Sequence, residues 1–233
     1  ENMHRLSKTT LQEIKGYLVN TFKWGKRKGH INSNSIEDAS LPVDGVATPR
    51  VPLPINTVRQ ITDYCLSNMQ EPESWPVLIM IYHGMRNMEI CNLTINDIIS
   101  DPDSNVIYMN ITDGKTENAV RKVPIHDKIL KTGFMEYVDN RKHKLFDTTS
   151  AKLTLKFTHY RKLLQIPVKT EAGELLNLYS LRHNVITQLQ DGDIGKADHV
   201  YKLVGHGNKN ITLNYTHSNF LLLQRMINQV NYN

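Results

Sequence analysis

The apolar residues of this chain follow a helical spacing over most of its length and a strand spacing in one central segment. Near the start, Thr10 and Glu13 fit a capping box, and the apolar positions that follow recur every three or four residues. These positions are Leu11, Ile14, Leu18 and Phe22. The pattern predicts a first helix that ends at Gly29.

The next segments predict a linker and two helices. Residues 31–50 lack periodicity and are rich in Ser, Asn, Asp, Gly and Pro, which is typical of an extended linker. Asn56 or Thr57 is the predicted cap of a helix that runs through Leu66. A further helix is predicted to be capped by Ser74 and to end at Gly84, and its segment "VLIMIY" is apolar on all sides, as in a buried helix.

Between residues 97 and 126 the spacing changes to that of strands. The segments "DIIS", "VIYMNI" and "VRKVPI" are β-rich, and the last two are separated by the turn-rich "TDGKTENA". Helical patterns return at 127–142, 150–164, 179–190, 196–204 and 210–217, and the chain closes with the apolar stripe of "NFLLLQRMINQV". The prediction is an α+β fold, mostly α-helical, with a small three-stranded antiparallel sheet that contains a hairpin.

Composition narrows the class of protein. Of 233 residues, 39% are hydrophobic and 22% charged, and the apolar runs are shorter than the ~18 residues of a membrane span. We therefore expect a soluble, cytoplasmic protein without a membrane partner. Cys65 and Cys91 lie in apolar helical patterns and are expected to be free and buried, and no metal site or cofactor is predicted.

Charge is concentrated at the start of the chain. The net charge is +5, and residues 1–30 alone carry seven lysines and arginines against two glutamates, so the remainder is neutral. The excess favours a polyanionic partner for the N-terminal segment.

Several charged residues occupy positions where the predicted fold needs only an apolar or a turn residue. Arg86 follows the helix stop at Gly84, and its alternative role is a structural salt bridge to Glu89. Lys115 lies in the predicted hairpin loop, where a solvated lysine is the simpler interpretation. Arg182, in "LYSLRH", lies beside many apolar residues and needs either a buried carboxylate or a bound anion.

Two further candidates follow in the chain. His206 stands between two glycines after an apolar helix, where a helix cap is the simpler role. Tyr215 comes nine residues later and is one of ten tyrosines. Individually these signals are weak.

The order Arg, Lys, Arg, His, Tyr, with spacings of 29, 67, 24 and 9 residues, resembles the tyrosine recombinases, the phage integrase family. The matching segments are "GMRNMEI", "GKT" with "VPI", "YSLRH" and "VGHGNKNITLNYTH". The resemblance covers residues 51–233 as a catalytic domain. It makes residues 1–30 the last helix of an N-terminal core-binding domain and 31–50 a linker. One position departs from the family pattern, because Tyr179 replaces a histidine.

The resemblance implies a role for each candidate. Arg86 and Arg182 would clamp a scissile phosphate by bidentate hydrogen bonds without a metal, and Tyr215 would attack it to form a covalent 3′-phosphotyrosine. Lys115 would protonate the leaving 5′ oxygen. The other roles are hydrogen bonding to the phosphate and support of the site, by His206, Tyr179, His183 and Glu89.

The implied function is that of a site-specific DNA recombinase, an integrase of a mobile element. Its partners would be double-stranded DNA, three further copies in a synaptic tetramer held by the C-terminal helix, and accessory DNA-bending proteins, within the nucleoid. Two alternatives stay open: a type IB topoisomerase with similar chemistry, and a DNA-binding protein that has kept the fold without catalysis.

Overall fold

The computed structural model describes residues 8–39, 48–112, 120–205 and 217–232. By its internal contacts the chain divides into two compact units, Glu1–Pro49 and Arg50–Asn233. None of the helices in these described ranges is long and apolar enough to cross a membrane.

The first unit consists of one helix and a segment that packs along it. Helix α1 spans Lys8–Arg27, and Gly29 follows with a positive φ of 76°, as the sequence predicts. The described part of the predicted linker is not extended. Asn34 donates to the Val19 carbonyl oxygen at 3.2 Å, and Lys15 donates to that of Ala39 at 2.7 Å. Residues 31–39 therefore return along α1, because their polar groups find partners there.

The second unit is built on a wholly buried helix. Helices α2 (Ile55–Ser67), α3 (Ser74–His83) and α4 (Asn87–Asn92) follow one another, and all ten residues of α3 are buried. The predicted stop at Gly84 is confirmed, since this residue takes a φ of 61°. The predicted caps are wrong: α2 begins directly after Pro54, and the Ser74 hydroxyl donates to the Asn68 carbonyl oxygen instead.

The predicted three-stranded sheet is confirmed. Strands β1 (Ile98–Ser100), β2 (Ile107–Ile111) and β3 (Arg121–Pro124) are antiparallel in the order β1-β2-β3. Ile111 pairs with Arg121 at one end of the β2–β3 ladder. The predicted hairpin loop with Lys115 lies outside the described residues.

Helices surround the rest of the core. The single helix predicted over 127–142 is two, α5 (Asp127–Lys131) and α6 (Phe134–Asp139), because Gly133 between them takes a φ of 91°. Helices α7 (Ser150–Leu163), α8 (Ser180–Asp191), α9 (Ala197–Val204) and α10 (His217–Asn228) complete the order. The helix predicted at 210–217 lies outside the described residues, apart from the first residue of α10.

The C-terminal apolar stripe packs on its own unit. Its buried members, each at most 1% exposed, are Phe220, Leu223, Met226, Ile227 and Val230. Beyond α10, the Tyr232 hydroxyl donates to the Ile81 carbonyl oxygen at 3.1 Å, and Arg59 Nε donates to that of Tyr232 at 2.7 Å. The segment is thus part of the core of the second unit.

Two buried histidines link this segment to α3. His83 Nε2 accepts from the His126 backbone N–H at 2.9 Å, and His126 Nε2 donates to the Val230 carbonyl oxygen at 3.0 Å. Burial lowers the pKa of His83 to about 3 and that of His126 to about 4. Both rings are therefore neutral in the folded protein at pH 7.

The two cysteines are free and buried, as predicted. Burial raises the pKa of Cys65 to about 12 and that of Cys91 to about 11. Both are protonated thiols that pack as small apolar groups.

Candidate functional site

Three arginines from distant parts of the sequence meet in the second unit. Arg86 is the residue before α4, Arg121 opens β3, and Arg182 lies in the first turn of α8. Arg121 and Arg182 are almost completely buried, whereas 36% of the Arg86 side chain is exposed. The structure thus brings together the two predicted arginines, Arg86 and Arg182, and adds a third that the sequence analysis missed.

The C-terminal end of α9 gathers the three guanidiniums. Arg121 Nε donates to the Leu203 carbonyl oxygen at 2.9 Å, and Arg182 Nη2 donates to that of Val204 at 2.5 Å. Arg86 Nη2 donates to the Gly205 carbonyl oxygen at 2.7 Å. The last carbonyls of a helix have no partner within the helix and carry partial negative charge, so they hold cations in fixed positions.

Glu89 is the carboxylate of the cluster. Its Oε1 accepts from Arg86 Nη1 at 2.7 Å and from Arg121 Nη1 at 3.0 Å, and its Oε2 accepts from Arg121 Nη2 at 2.7 Å. Burial alone would raise the pKa of Glu89, but the hydrogen bonds and charge of Arg121, with those of Arg86, lower it to about 2. Glu89 is therefore ionised and orients both arginines.

Arg182 has a different environment. Its Nη1 donates to the Gly84 carbonyl oxygen at 2.5 Å, and its Nε has no hydrogen-bond partner among the described residues. The ion pairs within the described ranges do not include Arg182, so the buried carboxylate considered for it is not observed there. Burial, followed by the charge of Arg86, lowers its pKa to about 10. Three guanidiniums and one carboxylate leave a net positive site that suits an anion.

Two glycines allow this close packing. Gly205 has a φ of 69°, and a Cβ added there would lie 2.7 Å from Arg121 Nη1. Gly84 has a φ of 61°, and its added Cβ would lie 3.0 Å from the Val185 Cβ. Both positions require a left-handed backbone and no side chain, and each carbonyl oxygen holds an arginine.

Tyr179 forms one wall beside the cluster. Its ring is half-buried, and the His183 ring meets it edge-on with centroids 5.3 Å apart. The guanidinium carbon of Arg182 lies 5.9 Å from the Tyr179 ring centroid, and that of Arg50 lies 5.7 Å from it. Tyr179 and His183 are thus beside Arg182, as the "YSLRH" spacing predicts for one helical turn.

Three predicted residues, Lys115, His206 and Tyr215, lie outside the described residues. The described chain stops at Thr112 and resumes at Val120 around the first of them, and it stops at Gly205 and resumes at His217 around the other two. Their roles stay predictions.

Arg121 and Arg50 were missed in the sequence for different reasons. Arg121 shares its strand face with Val123 and Ile125, which are both fully buried, so the alternation of "VRKVPI" already indicated an inward arginine. Arg50 carries no such signal, because its contact with Tyr179 joins residues 129 positions apart.

In the described part of the chain, no three His, Cys, Asp or Glu side chains form a group that could hold a metal ion. Three guanidinium groups supply positive charge to the site.

Comparison with known proteins agrees with this architecture. The tyrosine recombinase XerC of Proteus mirabilis is 25% identical over 211 residues, which are 87% of this chain and 66% of that relative. The chain therefore spans just under two thirds of the relative's length.

Solved structures show the same fold. The Tn1549 transposon integrase in complex with transposon right end DNA matches with a TM-score of 0.64 and 19% identity, over 87% of this chain and 73% of the other. A lambda integrase tetramer bound to a Holliday junction matches with a TM-score of 0.57 and 17% identity, over 89% of this chain and 57% of the other. The model of the phage integrase family matches residues 53–221, which lie within the second unit. The chain belongs to the phage integrase family and carries the catalytic domain of a tyrosine recombinase.

Proposed function

We propose that this chain is a site-specific DNA recombinase that cuts and rejoins double-stranded DNA through a covalent 3′-phosphotyrosine at Tyr215. The observation that carries the proposal is the arginine cluster. Arg86 and Arg121 share the Glu89 carboxylate, Arg182 has no carboxylate partner among the described residues, and the Arg86 side chain is 36% exposed. A phosphodiester brings the negative charge that this arrangement lacks.

Arg86 and Arg182, the two arginines proposed to clamp the phosphate, differ in exposure. Arg182 is fully buried and donates to two carbonyl oxygens, and its buried Nε has no hydrogen-bond partner among the described residues. Arg86 is more exposed and keeps donors beyond those used by Glu89 and Gly205. In transesterification, negative charge builds on the non-bridging oxygens, and positioned guanidiniums stabilise it more strongly in the transition state than in the substrate.

The covalent step uses residues outside the described ranges. The Tyr215 hydroxyl loses its proton to solvent, and its oxygen forms a bond to phosphorus while the bond from phosphorus to the 5′ oxygen breaks. Lys115 gives that oxygen its proton, and His206 donates a hydrogen bond to the phosphate. Rejoining reverses these steps, with a free 5′ hydroxyl as the nucleophile. The nearness of both segments to the clamp supports these roles: Arg121 opens β3 just after the loop of Lys115, and Gly205, the partner of Arg86, directly precedes His206.

The supporting residues act through the arginines. Glu89 orients Arg86 with two hydrogen bonds, one from its guanidinium and one from its backbone N–H. Tyr179 is proposed to donate its phenolic hydrogen to a phosphate oxygen in place of the family histidine, and His183 packs against its ring.

DNA contacts extend beyond the clamp in this proposal. Lys26 and Arg27 line one groove of the first unit, where they would contact phosphates, and Lys23 in the same groove is paired with Glu37 at 2.7 Å. This unit is proposed to be the end of a core-binding domain. The Tn1549 integrase structure contains DNA, and the lambda integrase structure is a tetramer on a Holliday junction, which supports DNA and a synaptic tetramer as partners.

The C-terminal segment is proposed to exchange between protomers on DNA. The same contacts that it makes with its own unit would then be made with a neighbour. Asn228 Oδ1 accepts from the Asp127 backbone N–H at 2.9 Å, so a disulfide formed by Asp127→Cys with Asn228→Cys would hold α10 on its own unit. The oxidised protein should bind single sites but not form synaptic complexes, and reduction should restore them. Normal synapsis by the oxidised protein would contradict exchange.

Covalent trapping tests the proposed function. The chain is incubated with a pool of nicked duplexes whose central segment is randomised, so that the cut strand loses a short fragment and cannot be rejoined. The wild type should form adducts that survive SDS, and sequencing of the trapped DNA should give a preferred site. Tyr215→Phe should form none. Absence of adducts from the wild type would overturn the proposal, and adducts without sequence preference would favour a topoisomerase.

A further inference from the structure

A cleft lined partly by Tyr179, the neighbour of Arg182, opens in the second unit. It has a volume of about 250 Å³ and a floor that includes Met80 and Leu178. The other lining residues are Arg50, Asn87, Thr154, Asn177 and Tyr179. The described lining contains one charged side chain, the cation Arg50, and no carboxylate.

Backbone contacts position Arg50 at this cleft. Arg50 forms a parallel bridge with Leu175, and the Val51 N–H donates to the Leu175 carbonyl oxygen at 3.4 Å. The Arg50 side chain is exposed, and its guanidinium lies over the Tyr179 ring at a centroid distance of 5.7 Å. Stacking on an aromatic face orients a guanidinium while its edge donors stay accessible.

The Asn177 amide lies in the lining of the same cleft as the Arg50 guanidinium. Asn177 Oδ1 accepts from the Tyr179 N–H at 2.9 Å, which turns the Asn177 side chain so that its remaining polar atom is the Nδ2 donor. A lining that combines a guanidinium with an amide N–H suits an anionic oxygen.

The cleft is close to the clamp. Arg50 and Arg182 lie 5.7 Å and 5.9 Å from the centroid of the same ring, so their guanidinium carbons are within about 12 Å of each other. Phosphates of one DNA strand recur roughly every 3.4 Å along the helix axis. An oligonucleotide that places one phosphate at Arg182 therefore brings a neighbouring phosphate within reach of Arg50.

We propose that this cleft is a second phosphate subsite, in which Arg50 binds a DNA phosphate adjacent to the scissile one while its stacking positions Tyr179. The inference rests on the proposed function. It gives the departure at Tyr179 a physical account: the phenol carries no positive charge, and Arg50, stacked on it, supplies that charge at the same edge of the site.

Salt dependence of DNA binding tests the subsite without any cleavage. Binding of a short synthetic duplex to the Tyr215→Phe protein is measured over a range of salt concentrations. Loss of one phosphate contact in Arg50→Ala should reduce the magnitude of the negative slope of log K against log[salt] by about 0.9. Arg50→Lys should keep the slope, because it keeps the charge. The matched control is Arg225→Ala, an exposed arginine on α10, which should leave the slope unchanged.

Neutralised phosphates test which position is bound. In the site recovered by covalent trapping, each phosphate near the cut is replaced in turn by an uncharged methylphosphonate, and single-turnover cleavage is followed. Replacement at one neighbouring position should slow cleavage by the wild type about tenfold, because it removes a hydrogen bond to a charged group. The same replacement should have little effect on Arg50→Ala, which is already slowed to a similar degree.

The outcomes separate this proposal from the proposed function. An unchanged slope in Arg50→Ala, or equal sensitivity of wild type and Arg50→Ala at every phosphate, would overturn the subsite even if adducts form. A slope of smaller magnitude in Arg50→Ala, without any adduct from the wild type, would support phosphate binding by Arg50 and overturn the cleavage reaction.

Discussion

Replacing Arg121 with methionine should destabilise the second unit by removing the main partner of a buried carboxylate. Arg121 is 1% exposed and donates two hydrogen bonds to Glu89, at 2.7 and 3.0 Å. Methionine has a similar length and no charge, so Arg121→Met leaves Glu89 with Arg86 as its remaining ionic partner. The variant therefore removes the ion pair with little change in volume, together with the hydrogen bond from Arg121 Nε to the Leu203 carbonyl oxygen.

The expected loss of stability follows from the pKa of Glu89. Its pKa is about 2 in the folded protein against an ordinary 4.5, and a difference of that size corresponds to about 3 kcal/mol. Breaking one side of a buried pair typically costs about 3–5 kcal/mol. Because Arg86 still contacts Glu89, we expect a loss of about 3 kcal/mol in the free energy of unfolding at pH 7.

Urea unfolding followed by the fluorescence of Trp75 measures this loss. Trp75 is 5% exposed and packs on Phe134, so it reports the second unit, and a Trp24→Phe background removes the other tryptophan. Arg225→Met, at an exposed arginine, should change stability by less than about 0.5 kcal/mol.

A double variant separates charge from packing. Glu89→Gln together with Arg121→Met removes both charges of the pair, and it should be more stable than Arg121→Met alone. A loss below about 1 kcal/mol in Arg121→Met would refute the reasoning, because that is the range of an exposed ion pair. A double variant less stable than the single one would also refute it.

Three further predictions concern the clamp, the metal requirement and acid stability. Arg182→Lys should slow covalent adduct formation by an amount equivalent to about 2–4 kcal/mol, since an ammonium cannot reproduce two guanidinium contacts; a rate within threefold of the wild type, by quenched single-turnover assay, would contradict this. Cleavage should proceed unchanged in excess EDTA, and activity that returns only with Mg²⁺ would show that the arginines do not suffice. The free energy of unfolding should fall as the pH drops below about 6.5 towards 4, by up to about 1.4 kcal/mol per pH unit for each of His83 and His126. The reason is that both histidines are neutral in the folded protein but take up protons when it unfolds. Equal urea midpoints at pH 7 and pH 5 would contradict the histidine prediction.

The apolar spacing was sufficient to predict most elements. Helix α3 is apolar on every side and is buried on every side, and the three β-rich segments pair in sequence order. Periodicity reports which face is buried, so it located these elements without tertiary information. It did not report local backbone geometry: Gly133 splits a predicted helix, and α2 begins at Ile55 without a side-chain cap.

The site was predictable in part. The spacing of Arg86 and Arg182 predicted two arginines that the structure brings together. It could not predict that the carbonyls at the end of α9 hold them, because these contacts join residues 119 and 22 positions apart in the chain. The return of residues 31–39 along α1 was missed for a related reason, since a polar segment gives no sign of which polar groups it will meet.

The nucleophile is tested most directly by locating the nucleotide on the protein. Trypsin cleavage after Lys209 and Arg225 releases a peptide, residues 210–225, whose single tyrosine is Tyr215. After covalent trapping and nuclease digestion, mass spectrometry should find this peptide with a nucleotide linked through its 3′ phosphate, and fragmentation should assign it to Tyr215. A nucleotide on any other residue, Tyr179 or Tyr201 for example, would contradict the account.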